Sequence, residues 1–385
     1  MNPALLLGII YLAFISLGLP DSVLGVAWPS MRGSLGQPLE SAGMITLVLT
    51  VFSALSSLAS GALLSRFGTG AVVAVSGLLT GFALMGFSYS PSLFAVMLLA
   101  LPLGLGAGAV DAGLNHHVAR HYSSRHMNWL HGCWGIGATL GPIIMGWALA
   151  SAGGWTLGYR LIAGIQLVLA ALFLLTLRQW QQDSTHTEPT LDSATPTNAR
   201  PDKVLASWLA PTLYLLYAAV EISTGLWAAS LLIGTRGIAP ATAGLWVSGF
   251  FGAIMAGRFA TGLIARRLGN RLLVRLGLVL AVMGAGLLSL PGLPDALVLG
   301  GLALLGLGCA PIFPSLMHET AQRFSPALAS RVIGRQVSFA YLGAATVPAA
   351  MGYLAAQAGL GVVMPCLLAA LLLLLALSEL LNRMT

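Results

Sequence analysis

The amino-acid sequence predicts an all-α membrane protein with twelve transmembrane helices in two pseudo-symmetric six-helix bundles. Three observations lead to this fold class: an apolar composition, basic residues concentrated on one side, and a repeat between the two halves. Of the 385 residues, 57% are hydrophobic and only 8% are charged, whereas a soluble globular chain carries about 25% charged residues. Such a composition cannot cover a surface that faces water, so it excludes a soluble protein.

The apolar residues form twelve stretches, most of them about 20 residues long, which is the length that crosses a bilayer as a helix. They lie at about 4–31, 42–64, 70–89, 93–119, 127–151, 158–178, 208–234, 242–265, 272–290, 295–320, 331–357 and 360–381. Mostly short loops separate them, which predicts that successive helices are antiparallel neighbours. The lipid bilayer is therefore the first partner that the sequence predicts.

The distribution of charge predicts the orientation of the chain. With the N-terminus in the cytoplasm, 15 of the 18 lysines and arginines fall on the cytoplasmic side, and only Arg32, Arg160 and Arg236 fall outside. Arg258 is counted as cytoplasmic, and a position inside the eighth span is the alternative for it. This positive-inside bias predicts an integral protein of the cell inner or plasma membrane with both termini cytoplasmic. It also accounts for the net charge of +7 without nucleic acid as a partner.

A repeat relates the two halves of the chain. The pattern Gly-x4-Arg-x-Gly occurs twice, 201 residues apart, as Gly61, Arg66 and Gly68 and again as Gly262, Arg267 and Gly269. We interpret each copy as a topology signal and a candidate gating loop. The polar segment between the halves predicts three parts: an N-terminal bundle (1–178), a flexible cytoplasmic linker (179–207) and a C-terminal bundle (208–385). Paired halves are typical of membrane carriers, which bind substrate between them.

Three carboxyl groups lie inside predicted spans: Asp21 in the first, Asp111 in the fourth and Glu221 in the seventh. An ionised group within a span costs about 2.5–3.5 kcal/mol on insertion scales. Such a group is therefore expected to have a binding partner, to line a cavity or to serve a function. Low dielectric favours the neutral carboxyl, which suits a group that gains and loses a proton during transport. Ligation of sodium with nearby hydroxyls is an alternative, as is a carboxyl that only holds helices together.

Six further residues are candidates for contact with a substrate. Asn115 lies one helical turn after Asp111, on the same face. Aromatic rings can stack on a ring-shaped solute, and amides or imidazoles can bind its hydroxyl groups. This mixture favours a sugar-like substrate, with the contacts assigned to Asn115, His131, Trp134, Trp227, Gln336 and Tyr341.

The sequence offers no catalytic constellation. It contains no phosphate-binding Walker loop, no HExxH metal motif and no G-x-S-x-G nucleophile motif. Its three cysteines stand singly in apolar segments, without metal-ligand or disulfide spacing. We therefore expect no enzyme activity, no catalytic residues, no cofactor and no metal site, and we expect a monomer.

The paired loops, the six-plus-six spans and the central linker resemble the major facilitator superfamily over essentially the whole chain. Within it, the span-four stretch 110–115 (Val-Asp-Ala-Gly-Leu-Asn) is similar to the Leu-Glu-Thr-Ala-Ala-Asn of the fucose:proton symporter group. Asp21 is similar to the span-one aspartate of that group. The resemblance implies alternating-access uptake of a monosaccharide or similar polyhydroxy solute, coupled to a cation and specifically a proton. Drug/proton antiport and sodium-coupled sugar symport are the alternatives.

Overall fold

The computed structural model describes residues 3–121, 124–180 and 201–385, and these residues are helical almost throughout, with no strand. Twelve helical segments in this part are long and apolar enough to cross a membrane, which confirms the predicted fold class. The helices are α1 Pro3–Asp21, α2 Val23–Leu35, α3 Ser41–Phe67, α4 Thr69–Tyr89, α5 Leu93–His121, α6 Ser124–Ala150, α7 Gly154–Leu175, α8 Leu177–Trp180, α9 Pro201–Arg236, α10 Pro240–Leu268, α11 Asn270–Ser289, α12 Asp295–Cys309, α13 Ile312–Arg323, α14 Pro326–Ala358 and, after a short 3-10 turn, α15 Val363–Met384.

Two predicted spans are each built from two helices. The first stretch breaks at Ser22, between α1 and α2, and the tenth breaks after Cys309, between α12 and α13. Proline lies at both breaks, at Pro20 and Pro311. A proline has no N–H to donate and clashes with the preceding turn, so the helix is interrupted there.

The helices define two faces of the molecule. The terminal face holds the start of α1, the end of α15 and the turns that join α3 to α4 and α10 to α11. The opposite face holds the turns that join α2 to α3 and α9 to α10. Residues 181–200, most of the predicted linker, lie outside the described residues, and the described parts of that segment are helical at α8 and at the start of α9.

The two halves of the chain pack against each other mainly through small residues. A β-carbon at Gly25 would overlap the carbonyl oxygen of Gly225, and one at Gly43 would lie 2.6 Å from the Cα of Ala349. These contacts join α2 to α9 and α3 to α14, and they lie toward the opposite face. Helix α6 packs along α10, where the Ser248 hydroxyl donates to the Thr139 carbonyl oxygen at 2.8 Å.

Glycines also bring α1 and α6 together within the first half. A β-carbon at Gly18 would overlap the carbonyl oxygen of Trp134, and one at Gly137 would overlap that of Ile15. Helices approach this closely in a membrane only where small residues face each other. The close approach fixes α6 beside the break that ends α1.

Replacing Gly137 with alanine tests this contact. The added methyl group has no room against the α1 backbone, so we expect Gly137→Ala to lower the free energy of unfolding by about 1–3 kcal/mol. The measurement is the midpoint of thermal unfolding in detergent. Gly164→Ala is the matched control, because a β-carbon there meets nothing within 4 Å. Equal midpoints for the two variants would contradict the close-packing account.

Candidate functional site

Asp21 is held where α1 ends, in the middle of the first span. The indole Nε1 of Trp134 donates a hydrogen bond to its Oδ2 at 2.8 Å. Beside it, the Ser22 hydroxyl donates to the Ala138 carbonyl oxygen at 2.8 Å. That carbonyl is free because its usual helical donor, four residues on, would be Pro142. Asp21 itself lies at an accessible position within electrostatic range of Asp111 and Glu221.

Asp111 and Asn115 form a second polar group on α5. The Asn115 amide donates to Asp111 Oδ1 and to the Asp111 carbonyl oxygen, each at 2.9 Å. Both side chains are half-buried. Tyr341, from α14 in the second half, lies close to Ser57 and within electrostatic range of both Asp21 and Asp111. Two of the three predicted coupling acids and the predicted substrate residues Asn115 and Tyr341 therefore lie around the same region.

Glu221 has a charged partner that the sequence interpretation missed. Arg258 Nη2 lies 3.4 Å from Glu221 Oε1, and the two side chains are only 11% and 8% exposed. The same Nη2 donates to the Tyr217 hydroxyl at 3.4 Å. Arg258 therefore lies inside the eighth span, which was the alternative to counting it among the cytoplasmic residues. Arg258 lies ten residues before the end of α10, which is about 15 Å at 1.5 Å per residue. This distance from the helix end was the sequence signal for a position inside the span.

Trp134 links the acidic groups of the two halves. One side of its ring lies under the Arg258 guanidinium, with Cζ 4.9 Å from the ring centroid, and its Nε1 binds Asp21. A cation–π contact of this kind strengthens as water is removed from it. A continuous path therefore runs from Asp21 through Trp134 and Arg258 to Glu221, and it crosses from α1 and α6 to α9 and α10.

His131 lies near this path, one turn before Trp134 on α6. Its ring packs edge-on against Phe14, with centroids 5.8 Å apart, and lies 6.3 Å from that of Phe313 in the second half. His131 is half-buried and within electrostatic range of Arg258. The structure thus brings together Asp21, Asp111, Glu221, Asn115, His131, Trp134 and Tyr341.

Trp227 and Gln336 are placed apart from this group. Trp227 is fully buried and donates to the Pro348 carbonyl oxygen at 3.0 Å, against the end of α14. Gln336 is buried and donates to the Thr320 hydroxyl oxygen at 2.9 Å. Either residue would need its helix packing to open before it could touch a solute.

The repeated loops share a backbone conformation. Gly68 has φ 76° and ψ 157°, and Gly269 has φ 75° and ψ 153°. This region of positive φ is open to glycine and strained for other residues, which explains the last glycine of each copy. The other loop residues, Gly61, Arg66, Gly262 and Arg267, are exposed, and the Arg66 guanidinium lies 5.4 Å from the centroid of the Phe67 ring. A gating role for these loops stays a prediction.

Among the described residues, no group of three or more His, Cys, Asp and Glu side chains could hold a metal ion. The chemistry of the central region is therefore that of carboxyl groups, one guanidinium, an amide, an imidazole and aromatic rings. Such a set can bind polar solutes and exchange protons.

Comparisons with known proteins agree with this architecture. A family model described as Major Facilitator Superfamily matches residues 10–234. A cis,cis-muconate transport protein of Acinetobacter baylyi is 23% identical over 364 residues, which cover 91% of this chain and 87% of that protein. An uncharacterised MFS-type transporter of Yersinia pestis is 24% identical over 368 residues, which cover 92% of this chain and 90% of that transporter.

Solved structures share the fold at low sequence identity. One is a bacterial homologue of the human lysosomal transporter Spinster, in an inward-facing and unoccupied conformation. It gives a TM-score of 0.79 at 12% sequence identity, and the match covers 100% of this chain and 98% of the homologue's chain. The nucleoside transporter NupG, in a mutant form, gives a TM-score of 0.73 at 15% sequence identity. The match covers 97% of this chain and 98% of the NupG chain.

The Arg258–Glu221 pair can be tested by removing one or both charges. Taking away one member of a buried ion pair costs about 3–5 kcal/mol, because the other charge is left uncompensated. We expect Glu221→Gln to lower the thermal midpoint in detergent strongly, and the double variant Glu221→Gln, Arg258→Gln to recover most of that loss. Asp295→Asn is the control, because its pair with Arg236 is exposed and worth about 0–1 kcal/mol. Additive losses in the double variant would show that the two residues do not act as a pair.

Proposed function

The chain belongs to the Major Facilitator Superfamily, and from that premise we propose that it is a secondary active transporter that couples a small polar solute to protons. The observation that carries the proposal is the polar path from Asp21 through Trp134 and Arg258 to Glu221, which joins acids of the two halves in mid-membrane. A solute or proton bound at such a path alters the contacts of both halves at once.

Protons suit the acids better than sodium does. Asn115 turns its amide nitrogen, not its oxygen, toward Asp111, since the same nitrogen also donates to a backbone carbonyl. Asp21 likewise faces an N–H donor. Sodium binds several oxygen ligands at once, whereas each of these carboxylates accepts a hydrogen bond from an N–H donor. We therefore assign Asp21 and Asp111 to proton coupling and Glu221 to holding Arg258.

A carboxylate-bearing solute is the substrate class that this arrangement favours. Arg258 uses only Nη2 for its protein hydrogen bonds within the described part of the chain, which leaves Nε and Nη1 as donors. Nε–H and Nη1–H point to different sides of the guanidinium, so each offers a separate charge-assisted hydrogen bond to a carboxylate. The Acinetobacter baylyi relative, by its name, transports a carboxylate, and it aligns over most of both chains.

A monosaccharide or similar polyhydroxy solute is the second candidate. Asp111, Asn115 and Tyr341 lie around one region and offer donors and acceptors for hydroxyl groups. The likeness of the span-four stretch to the fucose:proton symporter group supports this candidate and stays a prediction. Drug/proton antiport, which the aromatic contact of Trp134 with Phe251 would suit, is a third outcome to be tested.

Transport by the purified protein in proteoliposomes separates these candidates. A panel of labelled dicarboxylates, monosaccharides, nucleosides and a lipophilic cation is offered with an imposed pH gradient, and separately with a sodium gradient. We expect pH-driven accumulation of carboxylates, and we expect Arg258→Lys to weaken it because lysine has one nitrogen, which cannot hold Glu221 and also donate from the positions of Nε and Nη1. Accumulation of sugars alone would favour the second candidate, and accumulation only with sodium would overturn proton coupling.

Substitution of the two coupling acids distinguishes coupling from binding. Asp21→Asn and Asp111→Asn keep the shape of each side chain but cannot carry a proton in and out. We expect both variants to lose accumulation driven by a pH gradient and its rise with external acidity, while exchange of solute at equal concentrations persists. Glu40→Gln, an acid outside the central region, is the control. Full pH-driven accumulation by the double variant Asp21→Asn, Asp111→Asn would rule out the assigned role.

We also propose that the terminal face is cytoplasmic and that the two halves separate at the opposite face during transport. Gly146 and Gly244 meet there across α6 and α10, since a β-carbon on Gly244 lies 3.1 Å from the Cα of Gly146. In a background without Cys133, Cys309 and Cys366, cysteines at these two positions should form a disulfide. We expect oxidation to stop transport and a reducing agent to restore it. Transport that continues with the disulfide in place would contradict separation at this point.

A further inference from the structure

We propose that the terminal face of the second half binds the phosphate headgroup of an anionic membrane lipid, between α11, α13 and α15. A cavity of about 690 Å³ opens there, well away from the central acids. The residues that line it include Arg271, Arg275, Glu319, Glu379, Asn382 and Arg383.

The charges around this cavity do not balance. Arg275 binds Glu379 through two hydrogen bonds of 2.7 and 2.5 Å. Glu319 is shared between Arg271, at 3.0 Å, and Arg323, at 3.3 Å. With Arg383 on the rim, four arginines face two carboxylates. The cluster therefore carries an excess of positive charge.

Donors remain available on the exposed arginines. Arg271 binds Glu319 through Nε alone, and 48% of its side-chain surface is exposed, so both of its terminal nitrogens can turn into the cavity. Arg383 is exposed and has no hydrogen-bond partner among the described residues, although it lies within electrostatic range of Glu379. Two guanidinium groups at the mouth of one cavity suit a phosphate, which accepts paired hydrogen bonds from arginine.

The surface below the cavity favours a lipid over a free phosphate. Exposed apolar side chains continue from it along one face of α11, at Leu272, Leu276, Val279 and Met283. Helix α15 packs beside α11 and adds exposed Leu373 and Leu380. Acyl chains can lie on this apolar surface while the headgroup stays at the arginines. The cavity thus sits where the polar and apolar parts of a phospholipid meet.

The first half does not repeat the two arginines of α11, although it repeats the same fold. At the repeat offset of 201 residues, Gly70 and Ala74 stand where the second half has Arg271 and Arg275. A β-carbon at Gly70 would overlap atoms of the Trp180 ring at 2.5 Å, so the position is filled by packing. Arg271 and Arg275 are therefore not a general requirement of the turn between these helices.

Binding of defined lipids to the full-length protein in detergent tests the proposal. The probes are phosphatidylglycerol, phosphatidylcholine and inorganic phosphate, and the readouts are lipid retention by native mass spectrometry and the shift of the thermal midpoint. We expect phosphatidylglycerol to be retained and to raise the midpoint, phosphatidylcholine to do so far less, and inorganic phosphate at the same concentration to have no effect. Each arginine removed should weaken phosphatidylglycerol binding about fivefold.

The variants are Arg383→Gln and Arg271→Gln, with Arg160→Gln on the opposite face as the control. Arg383→Gln removes no hydrogen bond seen in the structure, so its effect does not depend on folding. Equal retention of phosphatidylglycerol by Arg383→Gln, Arg271→Gln and the unaltered protein would overturn the proposal. A shift by inorganic phosphate as large as that by phosphatidylglycerol would overturn the lipid as the source of the phosphate.

Discussion

The ion pair between Arg258 and Glu221 is the interaction on which the central region depends. A guanidinium in mid-membrane is costly unless a carboxylate lies beside it, and the two residues come from neighbouring helices of the second half. Because the guanidinium also covers the ring of Trp134 in the first half, the pair fixes more than its own helices. The hydrogen bond from Trp134 then places Asp21. One charge thus organises acids that are 200 residues apart in the chain.

Close helix packing makes this arrangement possible. Gly18 and Gly137 let α1 and α6 approach until the backbones touch, and the break at Ser22 leaves Asp21 at the edge of that contact. Ser22 in turn binds the carbonyl that Pro142 leaves free. In lipid, every backbone polar group needs a partner within the protein. The serine hydroxyl of one helix therefore replaces the N–H donor that the proline of another helix lacks. The glycines, the proline and the serine thus all contribute to the same contact between α1 and α6.

The two halves share a fold but differ in how they hold charge. The second half contains the mid-membrane arginine and the arginine network at the terminal face. At the equivalent of that network the first half has small residues packed on Trp180, whereas its acids Asp21 and Asp111 are held by hydrogen bonds from neutral side chains. A proton can therefore be lost or gained in the first half without an uncompensated cation. This difference supports the proposals that the first half carries the coupling acids and the second half an anion site.

The sequence by itself determined the number of spans, the positions of the helices and the acids within them, because bilayer thickness and the cost of buried charge leave strong local signals. The glycines at positive φ, Gly68 and Gly269, were also marked by the repeat. Only the tertiary structure decided which polar residues meet. The partner of Arg258, Glu221, became known only from the structure, and the enclosed positions of Trp227 and Gln336 depend on α14 packing on α9 and α13. The bilayer requires a long apolar stretch in every span, and this can be read from a single sequence. A contact between helices that are distant in the chain leaves no such pattern.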